Sequence, residues 1–300
     1  MLYLTGATGH SGYWLLERLK REQCAGRIRC LVRPHSDTSH LDSSNLAIEK
    51  VAGDLSDRDL VTKSMEGARV VLHIASIKHS TTVVDAAMRN GAEWVILVHT
   101  TGRYSKYKSA SAEYIQIEDD ILRMRDRIGI TVLRPTMIYG SSRDRNMYRL
   151  VDYLYRHKFF PMFGSGENLM QPVHARDLGN AYYDTICNRS STLNKGYNLP
   201  GEHALPYIDI VRTVSQALGR NTVIVKIPLR ASVVAARVYN ALDRNAMISV
   251  EQVLRMQEDK AFDYADAARD FGYSPVPFEA GILDEVSEYL ASAGRCGTRR

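Results

Sequence analysis

The strongest indication of the fold of this 300-residue chain comes from residues 2–12, Leu2-Tyr3-Leu4-Thr5-Gly6-Ala7-Thr8-Gly9-His10-Ser11-Gly12. Its apolar start predicts a short buried strand, and its three glycines have G-x-x-G-x-x-G spacing before a segment with helical periodicity. A strand that turns sharply into a helix presents the free N–H groups and positive dipole end of that helix to a pyrophosphate. The first glycine makes the turn, the second lets the backbone approach the phosphates, and the third allows close packing. The predicted cofactor contacts here are Gly6, Thr8, Gly9, His10, Ser11 and Gly12.

Several segments together resemble one family. The Thr-Gly-x-x-Gly-x-x-Gly pattern of residues 5–12, Gly53-Asp54-Leu55, Arg134-Pro135 and residues 171–178 resemble the extended and atypical short-chain dehydrogenase/reductases, including the epimerase/dehydratase and NmrA-like branches. The resemblance implies an α/β fold, a doubly wound parallel sheet of the Rossmann type with a smaller mixed C-terminal substrate lobe. We expect residues 1–140 and about 174–200 to form the dinucleotide-binding domain. Residues 141–173 and 201–300 would then form the lobe.

Composition limits the function classes. The net charge of +5 is spread along the chain, so we expect no nucleic-acid partner. The four cysteines form no C-x-x-C pair, which predicts no metal site and suits a reducing cytoplasm. No signal-peptide pattern precedes the first strand, and no apolar run approaches the roughly 18 residues of a membrane span. We therefore expect a cytoplasmic protein, either a monomer or a homodimer.

The end of the second predicted strand indicates the cofactor. Residues 27–32 read as this strand, and Arg33 follows where an NAD-binding fold of this type carries an acid for the ribose 2′-hydroxyl. A guanidinium suits a 2′-phosphate, which it binds through a bidentate fork. We therefore predict NADP rather than NAD, the alternative being that Arg33 is an ordinary surface residue.

The resemblance implies further cofactor contacts at the ends of three more strands. Asp54 and Leu55 would lie beside the adenine, although Asp54 also suits a helix N-cap. The fourth strand ends in a segment that passes under the cofactor, and the exit of the sixth strand faces the nicotinamide. The implied contacts in these two segments are Ile74, Ala75, Ser76, Pro135, Thr136, Met137 and Ile138. His73, just before them, reads as a core histidine.

The fifth predicted strand leads into the candidate catalytic residues. It ends in Thr100 and Thr101, and Tyr104 and Lys108 follow with Y-x-x-x-K spacing. Reductases of this type need a hydroxyl to orient the carbonyl, a tyrosine to pass the proton, and a lysine that lowers the tyrosine pKa and holds the nicotinamide ribose. Tyr104 follows the strand sooner than in the resembled family. Tyr114 on the next predicted helix is therefore a competing proton donor, and cofactor or substrate binding without catalysis is a third interpretation.

Three functions fit these features. The first is an NADP-dependent oxidoreductase that acts on a carbonyl or alcohol between the two lobes. The second is a nucleotide-sugar epimerase or dehydratase, because Arg143 and Arg145 lie in a loop that could reach a substrate phosphate. The third is a noncatalytic, NADP-sensing NmrA-like protein. The expected partner is a small molecule, which the second function would make a phosphorylated compound or a nucleotide sugar. For His174 we predict a structural role, with Asp177 capping the next helix.

Overall fold

The computed structural model describes residues 1–107, 111–229 and 257–297, with side chains up to residue 293. The strands in these segments are β1 Leu2–Thr5, β2 Ile28–Val32, β3 Ile48–Ala52, β4 Val70–His73, β5 Trp94–Val98, β6 Gly129–Pro135, β7 Ile138–Tyr139, β8 Phe159–Phe163, β9 Leu169–Met170, β10 Val173–His174, β11 Gly196–Leu199, β12 Leu205–Pro206 and β13 Val223–Ile227. The helices are α1 His10–Arg21, α2 Ser39–Asp42, α3 Arg58–Ser64, α4 Ser80–Arg89, α5 Ala112–Leu122, α6 Met147–Arg156, α7 Ala175–Cys187, α8 Arg189–Thr192, α9 Tyr207–Ala217, α10 Ala265–Phe271 and α11 Phe278–Gly297.

A seven-stranded sheet with the order β11-β6-β5-β4-β1-β2-β3 forms the centre of the molecule. Each pairing within it is parallel, which confirms the predicted doubly wound sheet. The strand order reverses direction between β1 and β4. In such sheets the crevice for a ligand opens at this point, outside the carboxyl ends of the strands.

Helices cover both faces of this sheet. On one face, α1 packs against α7 and buries Leu15, Leu16 and Leu19. Each such leucine stabilises the fold by about 1.5–3 kcal/mol. The two helices approach so closely that a Cβ on Gly179 would lie 2.5 Å from the backbone of Trp14. On the other face, α3, α4 and α5 bury a second apolar layer that includes Val83.

The C-terminal lobe has its own apolar core. Helices α6, α9 and α11 meet there around Val151, Leu154, Val211 and Ile282. The short parallel pair β8–β13 lies against the same core. Helix α6 connects this lobe to the large sheet, because it follows β6 and β7 in the chain and lies at the carboxyl edge of that sheet.

Three predictions differ from the structure. The glycines and proline of residues 160–167 predict a turn-rich link, but residues 159–163 form strand β8 because they pair with β13. The sequence predicts a helix over residues 112–127, whereas α5 ends at Leu122. His174, not Asp177, caps α7, since its ring accepts the N–H of Arg176. Two predicted lobe helices, 230–242 and 250–256, lie outside the described residues. Among those described, no helix has the length and apolar character needed to cross a membrane.

Candidate active site

The glycine-rich turn between β1 and α1 has the geometry that a pyrophosphate site needs. Gly6 has φ +79°, and a Cβ there would lie 2.9 Å from the backbone nitrogen of Ala75. A Cβ on Gly12 would lie 2.2 Å from the Gly6 carbonyl oxygen, so only glycine allows α1 to pack this close to the turn. The first and third glycines thus fill the roles predicted for them.

The N-terminus of α1 remains available to an anion. Its N-cap is Gly9, no side chain caps the first turn, and that turn contains no acidic residue. The Nε2 atom of His10 is buried and has no hydrogen-bond partner among the described residues. Burial lowers the pKa of the His10 imidazole, which keeps the ring neutral near pH 7. The N–H groups and the dipole of α1 therefore supply the positive potential of this site.

The predicted adenosine end is open to solvent. Arg33 is exposed directly after β2 and makes no ion pair with any described residue. Asp54 accepts hydrogen bonds from the N–H and hydroxyl of Ser56, and these bonds lower the pKa of its carboxyl group. Arg33 and Asp54 follow the ends of two neighbouring parallel strands, since the N–H of Gly53 donates to the carbonyl oxygen of Val32 at 2.9 Å. The structure brings Arg33, Asp54 and Leu55 to the edge of the sheet where the adenosine was predicted.

His73 is a structural residue, as the sequence predicts. One ring nitrogen lies 2.7 Å from the hydroxyl of Thr5, and the other lies 3.1 Å from the carbonyl oxygen of Ser76. Complete burial lowers its pKa to about 3. His73 therefore joins the end of β1 to the segment of Ile74, Ala75 and Ser76, which passes beside Gly6.

A cleft of about 710 Å³ lies at the carboxyl edge of the sheet. Its walls come from the turns after β1, β5 and β6, from the start of α6, and from the lobe. The predicted site residues that line it are His10, Thr100, Thr101, Thr136, Met137 and Ile138. Pro135 is buried behind this wall, at the end of β6. The cleft thus joins the phosphate turn to the two hydroxyl residues at the end of β5.

Tyr104 lies beside this cleft rather than in it. It ends the short 3₁₀ turn Thr101–Tyr104, is 48% exposed, and stands 5.7 Å from Phe262, measured between ring centroids. It lines a smaller cavity of about 320 Å³, which shares Thr101 and Gly102 with the main cleft. Lys108 lies outside the described residues, and Tyr114 lines neither of these two cavities.

A buried ionic network fixes the turn that carries these residues. The Glu118 carboxylate accepts hydrogen bonds from His99 Nδ1 at 2.8 Å, from Arg134 Nη2 at 2.7 Å and from Arg103. Burial alone would raise the pKa of Glu118, but the bonds from His99 and Arg134 lower it to about 2. Burial lowers the pKa of His99, so a neutral imidazole donates to an ionised carboxylate. Sequence reasoning missed this network, because its members lie just after β5, on the 3₁₀ turn that follows, on α5 and on β6, and share no local motif.

A second buried acidic contact holds the loop after β7. Glu285 on α11 is fully buried and accepts the N–H of Gly140 at 2.8 Å. Burial and the neighbouring Asp144 carboxyl raise the pKa of Glu285 to about 9. Glu285 is therefore protonated at pH 7, which provides an O–H donor beside Asp144; the buried oxygens Glu285 Oε1 and Asp144 Oδ2 have no other hydrogen-bond partner among the described residues. This contact ties α11 to the start of α6.

The two arginines of this loop diverge. Arg145 lines the main cleft. The guanidinium of Arg143 instead lies 5.2 Å from the ring centroid of Tyr13 and lines a different cavity, which shares His10 with the main cleft. The two side chains that the sequence grouped therefore serve different surfaces, and only Arg145 is placed to meet a ligand in the cleft.

Comparison with known proteins gives the setting of this site. Residues 6–153 match the NAD(P)H-binding family. Mouse short-chain dehydrogenase/reductase family 42E member 1 is 24% identical over 69% of this chain and 56% of its own length, so the chain spans just over half of it. The 3beta-hydroxysteroid-dehydrogenase/decarboxylase isoform 1 of Arabidopsis thaliana is 22% identical over 95% of this chain and 79% of its own length.

Two solved structures share the fold at low sequence identity. The crystal structure of gox2253 superposes with a TM-score of 0.81 at 19% identity, covering 97% of this chain and 98% of the other. UDP-glucuronic acid 4-epimerase of Bacillus cereus, solved with UDP-glucuronic acid and NAD, gives 0.76 at 16% identity, covering 97% and 99%. These likenesses confirm the Rossmann-type fold and the smaller C-terminal region.

Proposed function

We propose that this protein, which belongs to the extended short-chain dehydrogenase/reductase family, transfers hydride between NADP(H) and a carbonyl or alcohol in the main cleft. The observation that carries the proposal is the continuity of this cleft from the α1 N-terminus to the hydroxyls of Thr100 and Thr101. The relatives with named activities include a dehydrogenase/decarboxylase, a sterol demethylase protein and a ceramide reductase, which supports an NAD(P)-dependent enzyme rather than a noncatalytic sensor.

Within the site, separate groups of residues would bind the cofactor, orient the substrate and transfer the proton. The α1 N–H groups would bind the pyrophosphate, and the residues from Pro135 to Ile138 would support the nicotinamide. The bound cofactor supplies or accepts the hydride. Thr100 or Thr101 would orient the substrate oxygen, and Tyr104 would donate the proton to a substrate oxygen that extends over Thr101 and Gly102, which line both cavities. Lys108 lies outside the described residues and remains the predicted partner of that tyrosine and of the nicotinamide ribose.

The preference for NADP rests on Arg33. An exposed guanidinium without an ion-pair partner in the described chain is free to bind a 2′-phosphate. Replacing Arg33 with alanine should weaken NADPH binding about 10- to 100-fold, because a hydrogen bond to a charged group contributes roughly 1.5–3 kcal/mol. NADH binding should not change. Calorimetric titration of both cofactors tests this, with Arg123→Ala as a surface control, and equal losses for both cofactors would refute the NADP preference.

A second candidate is a nucleotide-sugar epimerase or dehydratase. Arg145 in the cleft favours it, and so does the shared fold with an epimerase solved in complex with UDP-glucuronic acid and NAD. The two functions differ in cofactor balance. Net oxidation of NADPH with a carbonyl substrate supports the oxidoreductase, whereas conversion of a nucleotide sugar without net oxidation supports the epimerase.

A further inference from the structure

One end of the main cleft is cationic. Arg145 lies two residues before the start of α6 and Arg149 lies in its first turn, and both line the cleft together with Lys260. Neither guanidinium makes a hydrogen bond or an ion pair with the part of the chain that the structure describes. The carboxylate in this lining, Asp144, is already engaged, since it accepts the N–H groups of Asn146 and Met147.

This arrangement works against the helix that carries it. Cations near the N-terminus of a helix oppose its dipole, and this applies to Arg149 in the first turn of α6 and to Arg145 just before it. Arg156 on the same helix does not oppose the dipole, because it lies in the last turn, and it pairs with Asp152 at 2.8 Å. An anion bound between Arg145 and Arg149 would offset this unfavourable interaction at the start of α6.

The same cleft has an apolar wall. The lining side chains that share this character are Met137, Ile138, Met147, Leu150, Met170 and Tyr207. They come from the β6 exit, from α6, and from the lobe elements β9 and α9. A wall of this kind favours a ligand with an apolar body, because each buried CH₂ group contributes about 0.8 kcal/mol of hydrophobic free energy to binding.

We propose that the substrate joins an apolar body to an anionic phosphate or carboxylate group, which Arg145 and Arg149 bind. Guanidinium groups suit both anions because each presents two parallel donors. The proposal rests on the proposed function, since it places the substrate in the cleft where hydride transfer would occur. It adds the chemical class of that substrate and two residues that determine specificity.

The test uses n-octyl phosphate, n-octanoate, n-octanol and inorganic phosphate as probes. Each is titrated calorimetrically into the NADPH-saturated protein, into the Arg145→Gln/Arg149→Gln variant, and into Arg156→Gln as a control on the same helix. We expect at least one of the two amphiphilic anions to bind the wild type at least tenfold more tightly than the double variant. The control should match the wild type, and octanol should not distinguish the three proteins. The two anions compared with each other show which anionic group the site prefers.

Three results would overturn the proposal. Both amphiphilic anions could bind the wild type and the double variant equally, inorganic phosphate could bind as tightly as octyl phosphate, or neither amphiphilic anion could bind at all. Cofactor affinity is measured first on each protein and separates the two levels of the argument. Failure to bind either NADPH or NADH removes the proposed function. Normal NADPH binding with any of the three results removes only the anionic subsite.

Discussion

Replacing Glu118 with glutamine should unfold the protein more easily than any surface change on the same helix. The Glu118 carboxylate is 1% exposed and carries the negative charge that balances Arg134 and Arg103. Glutamine keeps the shape of the side chain and removes the charge. The Arg134 guanidinium, itself 9% exposed, would then be buried beside a neutral amide.

Two independent routes give the magnitude. The fall in the pKa of Glu118 from 4.5 to about 2 corresponds to about 3 kcal/mol, at roughly 1.4 kcal/mol for each pH unit. Breaking a buried ion pair by removing one partner costs about 3–5 kcal/mol. For a chain of 300 residues, an unfolding entropy of about 2.1 cal/mol/K per residue converts this loss to a Tm lower by roughly 5–8 °C.

Urea unfolding at pH 7, followed by circular dichroism, measures the loss. The matched control is Glu113→Gln, since Glu113 lies on the same helix, is 58% exposed and pairs with Lys78 at the surface. Exposed pairs contribute about 0–1 kcal/mol. Because the folded pKa of Glu118 lies below its unfolded value, its contribution is complete above about pH 4.5 and disappears as the pH falls towards 2. A loss at pH 7 no larger than that of the control would refute the reasoning.

Three further outcomes are expected. Gly12→Ala should weaken binding of both NADPH and NADH, because its Cβ would meet the Gly6 carbonyl oxygen at 2.2 Å; unchanged titrations would contradict this packing. Tyr104→Phe should lower kcat about 10²- to 10⁴-fold with little change in NADPH affinity, and steady-state rates close to wild type would remove Tyr104 as the proton donor. Glu285 has a folded pKa of about 9, above its usual value of 4.5, so wild-type stability should decline between these pH values. In Glu285→Gln, urea titrations from pH 5 to 9 should show a smaller decline, and identical slopes would disprove the protonated state.

The sheet was predictable because its signals are local and repeated. The apolar runs at β4 and β5 predict strands buried on both faces, and the glycine spacing fixes the turn between β1 and α1. Strand β8 was not predictable in the same way. Phe159–Phe163 becomes a strand because β13, some sixty residues later, supplies its hydrogen bonds. Nothing inside the segment itself indicates that partner.

The residues of the site fall into the same two groups: some have roles set by neighbouring residues in the sequence, and others depend on residues far away in the chain. Gly6, Gly12 and His73 have roles that the neighbouring residues impose, and the structure shows each role as predicted. The direction of Arg143 depends on Tyr13, about 130 positions earlier in the chain, against which its guanidinium packs. The protonation of Glu285 likewise requires Asp144 from another element. Such long-range pairs determine which arginine enters the cleft, and no spacing rule predicts them.

The buried network and the position of Tyr104 are parts of one arrangement. Arg103 binds Glu118, and its guanidinium also lies 5.8 Å from the ring centroid of Tyr104. The turn between them is closed by Thr100, whose hydroxyl accepts the N–H of Gly102. Because the ion pair with Glu118 fixes the position of Arg103, the neighbouring Tyr104 side chain lies in the smaller cavity. A substrate that receives its proton from Tyr104 must therefore extend over Thr101 and Gly102. In the Glu118→Gln variant the position of Tyr104 should be less fixed, so this requirement should weaken, and the fold should be less stable.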